Sequence, residues 1–146
     1  MRIAIVAAQF NEEVTDEMTR QAEERIETLG HELAATVRVP GAYDTPLPAQ
    51  QQLRRDDVDA VVVLGTVVTG ETDHDQVLTH ACARTLQDLA LQHEKPVIFG
   101  ITGPGMTYSQ AKARVHYAAR AVDSAVAMVH TMRGEDVPDE VNVGSH

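Results

Sequence analysis

His74 is the residue in this sequence best suited to proton transfer. It ends the run GTVVTGETDH (residues 65–74), in which an apolar segment leads through a glycine into a helical pattern. The N-terminus of a helix disfavours a positive charge, so an imidazole there stays neutral and can accept a proton. The unpaired backbone N–H groups of the same helix end could bind phosphate. The competing interpretation is that Thr72 or Asp73 caps the helix and His74 is a surface residue.

The same run also contains several possible metal ligands, namely Glu71, Asp73, His74, Asp75 and His80. His74 and His80 are six residues apart, a spacing that does not easily direct both rings to one ion from one helix. The sequence has neither an HExxH motif nor a pair of cysteines. We therefore expect no metal site.

Three other residues are candidates for ligand binding. Phe10 lies in the polar turn AQFNEE and could stack on a flat heterocycle, or plug the start of the next helix. Asp44, in PGAYD, could accept bonds from sugar hydroxyls or cap the following helix. Arg114 interrupts the apolar positions of the last helical pattern and could bind phosphate, or remain solvated. Phe99 on its own is typical of a core residue.

The elements that must position these residues alternate between strand and helix. Apolar runs predict strands over residues 2–7, 33–39, 59–65 and 96–101. Helical spacing predicts helices over residues 15–29, 45–54, 73–92 and 107–132. This alternation favours an α/β fold with a parallel sheet and helices on both faces. Ligands bind at the carboxyl ends of such strands, so the segments to examine are 9–11, 40–44, 66–74 and 101–106.

The apolar stripe of the third helix is predicted to be Val77, Leu78, Ala81, Cys82, Leu86 and Leu89. Cys82 is the single cysteine, which excludes an internal disulfide, and we expect a buried, unreactive thiol. After Gly134 the sequence EDVPDEVNVGSH is acidic and irregular, and it predicts a loose tail.

Composition excludes several classes of protein. The net charge of −10 argues against nucleic acid or an anionic membrane as a partner. Only two of the twelve basic residues are lysines, which fits a protein adapted to high salt or an ordinary acidic enzyme. The first residues are too short and strand-like for a secretory signal, and no apolar run is long enough to span a membrane, so we expect a cytoplasmic protein. Dinucleotide, Walker and GxSxG motifs are absent.

Five stretches of the sequence match one family in order. They are IAIVAAQFN, VPGAYDTPL, DAVVVLGTVVTGETDHD, KPVIFGITGPGMT and QAKAR. Together they resemble the 6,7-dimethyl-8-ribityllumazine synthase family, most closely its archaeal branch. The resemblance implies a lumazine synthase domain over residues 1–133 and an acidic tail over 134–146. It also implies a flavodoxin-like three-layer sandwich with a four-stranded parallel sheet.

The resemblance also implies roles for individual residues. Phe10 corresponds to the aromatic residue that stacks on the pyrimidine, and His74 to the catalytic histidine. The contacts with the uracil and the ribityl chain correspond to Ala42, Tyr43 and Asp44, and those with the uracil edge to Thr66, Val67 and Val68. The phosphate contacts correspond to Glu71 and Thr72. The neighbouring subunit supplies Phe99 and Arg114. Asp44 stands where many members have Glu, and the loop 102–106 differs from the usual bacterial form.

The family activity implied is condensation of 5-amino-6-(D-ribitylamino)uracil with 3,4-dihydroxy-2-butanone 4-phosphate, in riboflavin biosynthesis. It requires no cofactor, since its steps move protons and expel phosphate. The family also implies self-association, as a pentamer or a larger icosahedral shell. A non-catalytic flavin- or lumazine-binding carrier, or a purely structural shell protein, would fit the same fold; His74 together with Arg114 favours the enzyme.

Overall fold

The computed structural model describes residues 1–68 and 74–142. The strands are β1 (Arg2–Ala8), β2 (Glu32–Val39), β3 (Ala60–Val68) and β4 (Val97–Met106). The helices are α1 (Glu12–Thr28), α2 (Pro46–Leu53), α3 (Asp75–His93), α4 (Tyr108–Ala113) and α5 (Tyr117–Met132), and a short 3-10 turn covers Ala42–Asp44.

The four strands form one parallel sheet in the order β2-β1-β3-β4. This order is that of the flavodoxin-like doubly wound sheet, in which the chain reverses direction across the sheet after its second strand. The central strands β1 and β3 are apolar and almost entirely buried, because helices cover them on both sides. The predicted flavodoxin-like α/β fold is therefore confirmed.

Alternating side chains of the central strands pack into two separate hydrophobic cores, one on each face of the sheet. Ile5 and Leu64 pack with α1 and α5 on one face of the sheet. Val6 and Val63 point the other way and pack with α2 and α3. Within residues 1–68 and 74–142, no helix is long and apolar enough to cross a membrane.

The predicted end of the fourth strand at residue 101 is wrong, because β4 continues to Met106. Gly103 explains the continuation. It has a positive φ of 91°, and a Cβ atom built there would lie 2.1 Å from the carbonyl oxygen of Val67. Only glycine allows the two backbones to approach so closely. The glycine-rich segment therefore extends the sheet instead of forming a free loop.

The predicted single helix over residues 107–132 is also wrong, since two helices occupy this segment. Thr107 caps α4, where its hydroxyl accepts a bond from the Gln110 N–H. Between α4 and α5 the backbone forms i to i+3 bonds, from the Tyr117 N–H to the Arg114 carbonyl and from the Ala118 N–H to the Val115 carbonyl. This tighter turn breaks the helix at Arg114, the residue that interrupts the apolar positions of the predicted helix.

The buried face of α3 differs from the predicted stripe. Val77 and Leu78 are 67% and 38% exposed, and Ala81 is exposed as well. The buried residues are Asp75, Thr79, Cys82, Leu86 and Leu89. Their alternating four- and three-residue spacing is helical, but two members are polar, so an apolar pattern alone selected a neighbouring face.

The segment after Gly134 is irregular, as expected, but it is not loose over residues 135–142. Val141 is only 6% exposed and belongs to the core beside α1 and α5. The Arg25 guanidinium donates to the buried carboxylate of Asp123 at 2.7 Å and to the carbonyl of Glu140 at 2.8 Å. The Asn142 N–H donates to the same carboxylate at 3.1 Å. These bonds fix the tail to the α1–α5 pair.

Asp123→Ala is expected to reduce the free energy of unfolding by about 3 kcal/mol, because it leaves the partly buried Arg25 without its carboxylate. Urea unfolding followed by circular dichroism measures the change. Asp139→Ala, in an exposed part of the tail, is the matched control and should be nearly neutral. Equal stability of the two variants would show that the ion pair does not hold the tail.

Candidate active site

A cavity of about 300 Å³ opens at the carboxyl ends of β1 and β3, beside the turn that follows β2. Its walls are Ala8, Phe10, Gly41, Ala42, Tyr43, Thr66, Val67, Asp75, Leu78 and Thr79. Three strand ends and the start of α3 therefore converge where a doubly wound sheet binds its ligand. The cavity contains five of the residues predicted for substrate binding, namely Phe10, Ala42, Tyr43, Thr66 and Val67.

Phe10 lies at the rim of the cavity with 58% of its surface exposed. Its backbone extends the β1–β2 ladder, with the Phe10 N–H donating to the Pro40 carbonyl at 3.0 Å. Asn11 then adopts a left-handed conformation, with φ of 64°, which turns the chain into α1. A ring so exposed does not plug the following helix, and its face is open to a flat ligand.

The 3-10 turn at Ala42–Asp44 brings Tyr43 to the rim, where it is 65% exposed. The Asp44 carboxylate caps this turn, accepting a hydrogen bond from the Gly41 N–H at 3.0 Å, and it does not line the cavity. One oxygen of Asp44 is thus engaged within the protein. The expectation that Asp44 caps the following helix is wrong, because Thr45 is the N-cap residue of α2 and no side chain among the described residues caps that helix. The predicted contact of Asp44 with the ribityl chain stays a prediction.

Cys82 supports the same turn from beneath. Its thiol donates to the Ala42 carbonyl at 3.3 Å, and the Thr45 hydroxyl donates to the same carbonyl at 2.7 Å. Burial raises the pKa of the Cys82 thiol, so it remains protonated. As predicted, Cys82 is buried, and its contacts are structural.

The end of β3 forms the back of the cavity. Thr66 and Val67 line it and are 4% and 9% exposed. The side chain of Asn11 donates to the Thr66 carbonyl at 3.4 Å, and the Thr102 hydroxyl donates to the Thr66 hydroxyl at 2.9 Å. Val68 packs into the core on the α1–α5 face and lines no part of the cavity. Any role of Val68 must therefore come from its backbone.

His74 is the N-cap residue of α3, and its side chain is exposed. Its carbonyl accepts the Leu78 N–H at 2.9 Å, which closes the first turn of the helix. It directly precedes Asp75, a wall residue of the cavity. The predicted phosphate-side residues Glu71 and Thr72 lie outside the described residues. So does Asp73, which together with Thr72 is the alternative candidate for the helix cap.

The metal hypothesis depended in part on Glu71 and Asp73, which are also outside the described residues. Elsewhere in the described chain, no three His, Cys, Asp or Glu side chains come close enough to hold an ion. The expectation that no metal binds stays a prediction.

Phe99 and Arg114 do not reach the cavity of their own chain. Phe99 is 38% exposed on β4 and lines a separate depression of about 160 Å³, together with Tyr117, Arg120 and Ser124 of α5. Arg114 lies between α4 and α5 as the C-cap of the former. The structure of one chain therefore assembles the heterocycle-facing residues but not the predicted phosphate anchor.

Sequence reasoning missed three cavity residues of α3, namely Asp75, Leu78 and Thr79. Leu78 and Thr79 lie three and four residues after Asp75, and this spacing places all three on adjacent positions of the first two turns. Asp75 stood beside His74 in the sequence, and the signal was its place on the buried helical face defined by Cys82 and Leu86.

The fold and the cavity define a class of protein. A flavodoxin-like sheet carries, at its carboxyl edge, an apolar cavity with aromatic side chains at the rim and polar groups on its inner wall. Such a site suits a flat heterocycle with polar substituents, because the rings can stack while the edges find hydrogen bonds.

Comparison with known proteins identifies the family. Residues 1–133 match the sequence profile of 6,7-dimethyl-8-ribityllumazine synthase, and the chain belongs to this family. An archaeal relative of that name from Methanocaldococcus jannaschii is 47% identical over 133 residues, which is 91% of this chain and 94% of the relative. Another from Halobacterium salinarum is 47% identical over 131 residues, 90% of this chain and 98% of the relative. One from Methanococcus aeolicus is 46% identical over 129 residues, 88% of this chain and 95% of the relative.

Proposed function

We propose that the protein condenses 5-amino-6-(D-ribitylamino)uracil with 3,4-dihydroxy-2-butanone 4-phosphate to 6,7-dimethyl-8-ribityllumazine, releasing phosphate and water, in riboflavin biosynthesis. The observation that carries the proposal is the family match over residues 1–133. The rim aromatics and polar inner wall of the cavity support it, since the aminouracil is a flat heterocycle with donors and acceptors at its edges.

The first substrate occupies the cavity described above. Phe10 stacks on the pyrimidine, and the backbone of Thr66, Val67 and Val68 binds the uracil edge. Ala42, Tyr43 and Asp44 contact the uracil and the ribityl chain. The exposure of the Phe10 ring and the position of Thr66 and Val67 on the back wall support these assignments.

His74 acts as the acid–base residue. The 5-amino group attacks the ketone and forms an imine with loss of one water. Phosphate is then eliminated, and the ribitylamino nitrogen attacks the carbonyl group that results and closes the ring with loss of a second water. Each step transfers a proton and none is an oxidation or a reduction, so a positioned imidazole suffices. We therefore expect no metal and no cofactor. The position of His74 at the start of α3, next to a cavity residue, supports this role.

The phosphate is bound by Glu71 and Thr72 through their backbone and by Arg114 of a neighbouring subunit, which also supplies Phe99. The support is that neither Phe99 nor Arg114 lines the cavity of its own chain. A guanidinium can form paired, charge-assisted bonds with a phosphate. The active site is then complete only in an oligomer.

The oligomer is a pentamer or a larger icosahedral shell. Apolar side chains of the two helices beside β4 support self-association. Leu91 of α3 is 69% exposed, and Met128 and Met132 of α5 are 42% and 57% exposed. Together they surround a depression of about 430 Å³. Such exposed apolar surface typically marks an interface. We place the enzyme domain at residues 1–133, the acidic tail at 134–146, and the protein in the cytoplasm, with no nucleic acid or membrane partner.

The test is to incubate purified protein with both substrates and follow lumazine formation by its absorbance, with phosphate release measured in parallel. One phosphate per lumazine is expected, at a rate above that of the same mixture without protein. A non-catalytic carrier or shell protein would bind the lumazine or assemble without raising that rate.

Salt is expected to strengthen assembly. Each chain carries a formal net charge of −10, so neighbouring subunits repel one another unless ions screen them. Light scattering should show larger or more stable oligomers as salt rises to about molar concentration, where the screening length falls to about 3 Å. An oligomer that dissociates on addition of salt, or is equally stable in dilute buffer, would contradict adaptation to a saline interior.

A further inference from the structure

The carboxylate of Asp75 forms part of the cavity wall and is not explained by the assignments above. Asp75 is only 9% exposed. Its Oδ1 atom is shielded from solvent and has no hydrogen-bond partner within residues 1–68 and 74–142. Buried carboxylate oxygens are nearly always hydrogen-bonded, so an unpaired one on a residue that lines a cavity indicates a donor supplied by a ligand.

The two threonine hydroxyl groups of the cavity wall, those of Thr79 and Thr66, have other partners. The Thr79 hydroxyl donates to the carbonyl oxygen of Asp75, at 2.7 Å, and not to its carboxylate. The Thr66 hydroxyl is paired with that of Thr102. The described residues therefore provide no hydrogen-bond donor for Oδ1 of Asp75, a residue that lines the cavity.

Stabilisation of the helix does not account for this placement. A carboxylate at the first residue of α3 gains from the helix dipole, but an exposed carboxylate gains from it too, so the dipole does not require burial. Burial adds a desolvation cost that no hydrogen bond of Oδ1 within the described residues offsets. Residues retained at such a cost are typical of functional sites.

We propose that Asp75 is a substrate-binding residue that accepts a hydrogen bond from an amino or hydroxyl donor of the ribitylaminouracil. The proposal rests on the function proposed above and adds a residue to it. The aminouracil carries both kinds of donor, whereas a phosphate would be repelled by the carboxylate. Asp44, the other carboxylate at this edge, already accepts the Gly41 N–H.

Asp75→Asn should weaken binding of the aminouracil by about 10- to 100-fold, the range for loss of a charge-assisted hydrogen bond. The Michaelis constant for the butanone phosphate should change little. Because the substitution is isosteric and removes an unpaired buried charge, the melting temperature should be unchanged or higher. A purely structural role predicts the opposite pattern, a lower melting temperature and equal effects on both substrates.

The experiment measures equilibrium binding of the aminouracil, without the second substrate, to wild type, Asp75→Asn and Asp75→Ser. Serine is a favourable residue at a helix start and guards against misfolding of the amide variant. Asp88→Asn, on the exposed face of the same helix, removes the same charge and is the control. The same measurement with an aminouracil that carries methyl in place of ribityl identifies the donor. If Asp75 binds a ribityl hydroxyl, the Asp75 substitutions no longer reduce the affinity for this analogue. If Asp75 binds the amine, they reduce it as before.

Unchanged affinity in the folded Asp75 variants, or the same loss in Asp88→Asn, would overturn the proposal. Because binding is measured without turnover, failure of the condensation itself has a different signature. A wild-type protein that binds the aminouracil but forms no lumazine would refute the proposed activity and leave the Asp75 comparison valid. A wild-type protein that does not bind the aminouracil would refute both.

Discussion

His74→Ala is expected to lower turnover by roughly 10²- to 10⁴-fold, the usual contribution of one acid–base residue. His74 begins α3 and directly precedes a residue that lines the cavity, where an imidazole can pass protons to and from a bound substrate. Activity above background should persist, because holding the two substrates together accelerates the reaction without any imidazole. Affinity for the aminouracil should remain close to wild type.

Steady-state kinetics with both substrates saturating measures this effect, and circular dichroism confirms the fold. His80→Ala is the matched control, since His80 is also exposed and lies on the same helix six residues further on. It should turn over like wild type. Wild-type turnover in folded His74→Ala would refute the acid–base role and remove the main reason for preferring an enzyme to a carrier.

Arg114→Ala is expected to raise the Michaelis constant for the butanone phosphate by about 10- to 150-fold, corresponding to about 1.5–3 kcal/mol for a lost bond to a charged group. The constant for the aminouracil should change far less, because the proposed contact of Arg114 is with the phosphate group of the other substrate. Arg114→Lys should recover only part of the loss, since an ammonium group cannot form the paired contact.

The control for Arg114 is Arg54→Ala, which removes an exposed arginine at the end of α2. It should leave both Michaelis constants unchanged. If Arg114→Ala raised the two constants equally, the residue would serve the turn between α4 and α5 and not the phosphate.

Local sequence signals predicted much of the fold because they act over short distances. The apolar run that forms β3 is buried on both faces, which only a central parallel strand requires. Two of the wrong expectations, the end of β4 and the loose tail, have tertiary causes. Gly103 continues β4 because it meets the backbone of Val67, and the tail is ordered because Asp123 bonds Arg25 across 98 residues of sequence. Neither contact has a local signature.

The candidate site also contains residues whose position the sequence predicts and residues whose position it does not. Phe10 and Tyr43 follow strand ends, so their position at the cavity rim could be predicted from topology alone. Asp75 could not, because a search for apolar periodicity ignores a polar residue on the buried face of α3. In the proposed active site the phosphate anchor comes from a second chain, and no pattern within one sequence specifies how copies meet.

The central claim is that each active site combines His74 of one subunit with Arg114 of its neighbour. The most direct test is co-expression of the His74→Ala and Arg114→Ala chains, carrying different tags, followed by purification of the mixed oligomer. In a ring of heterologous contacts with random mixing, about a quarter of the sites receive both native residues. Lumazine formation at limiting butanone phosphate should then reach about a quarter of the wild-type rate, far above either variant alone. Mixed oligomers no more active than the average of the two separate variants would contradict the shared site.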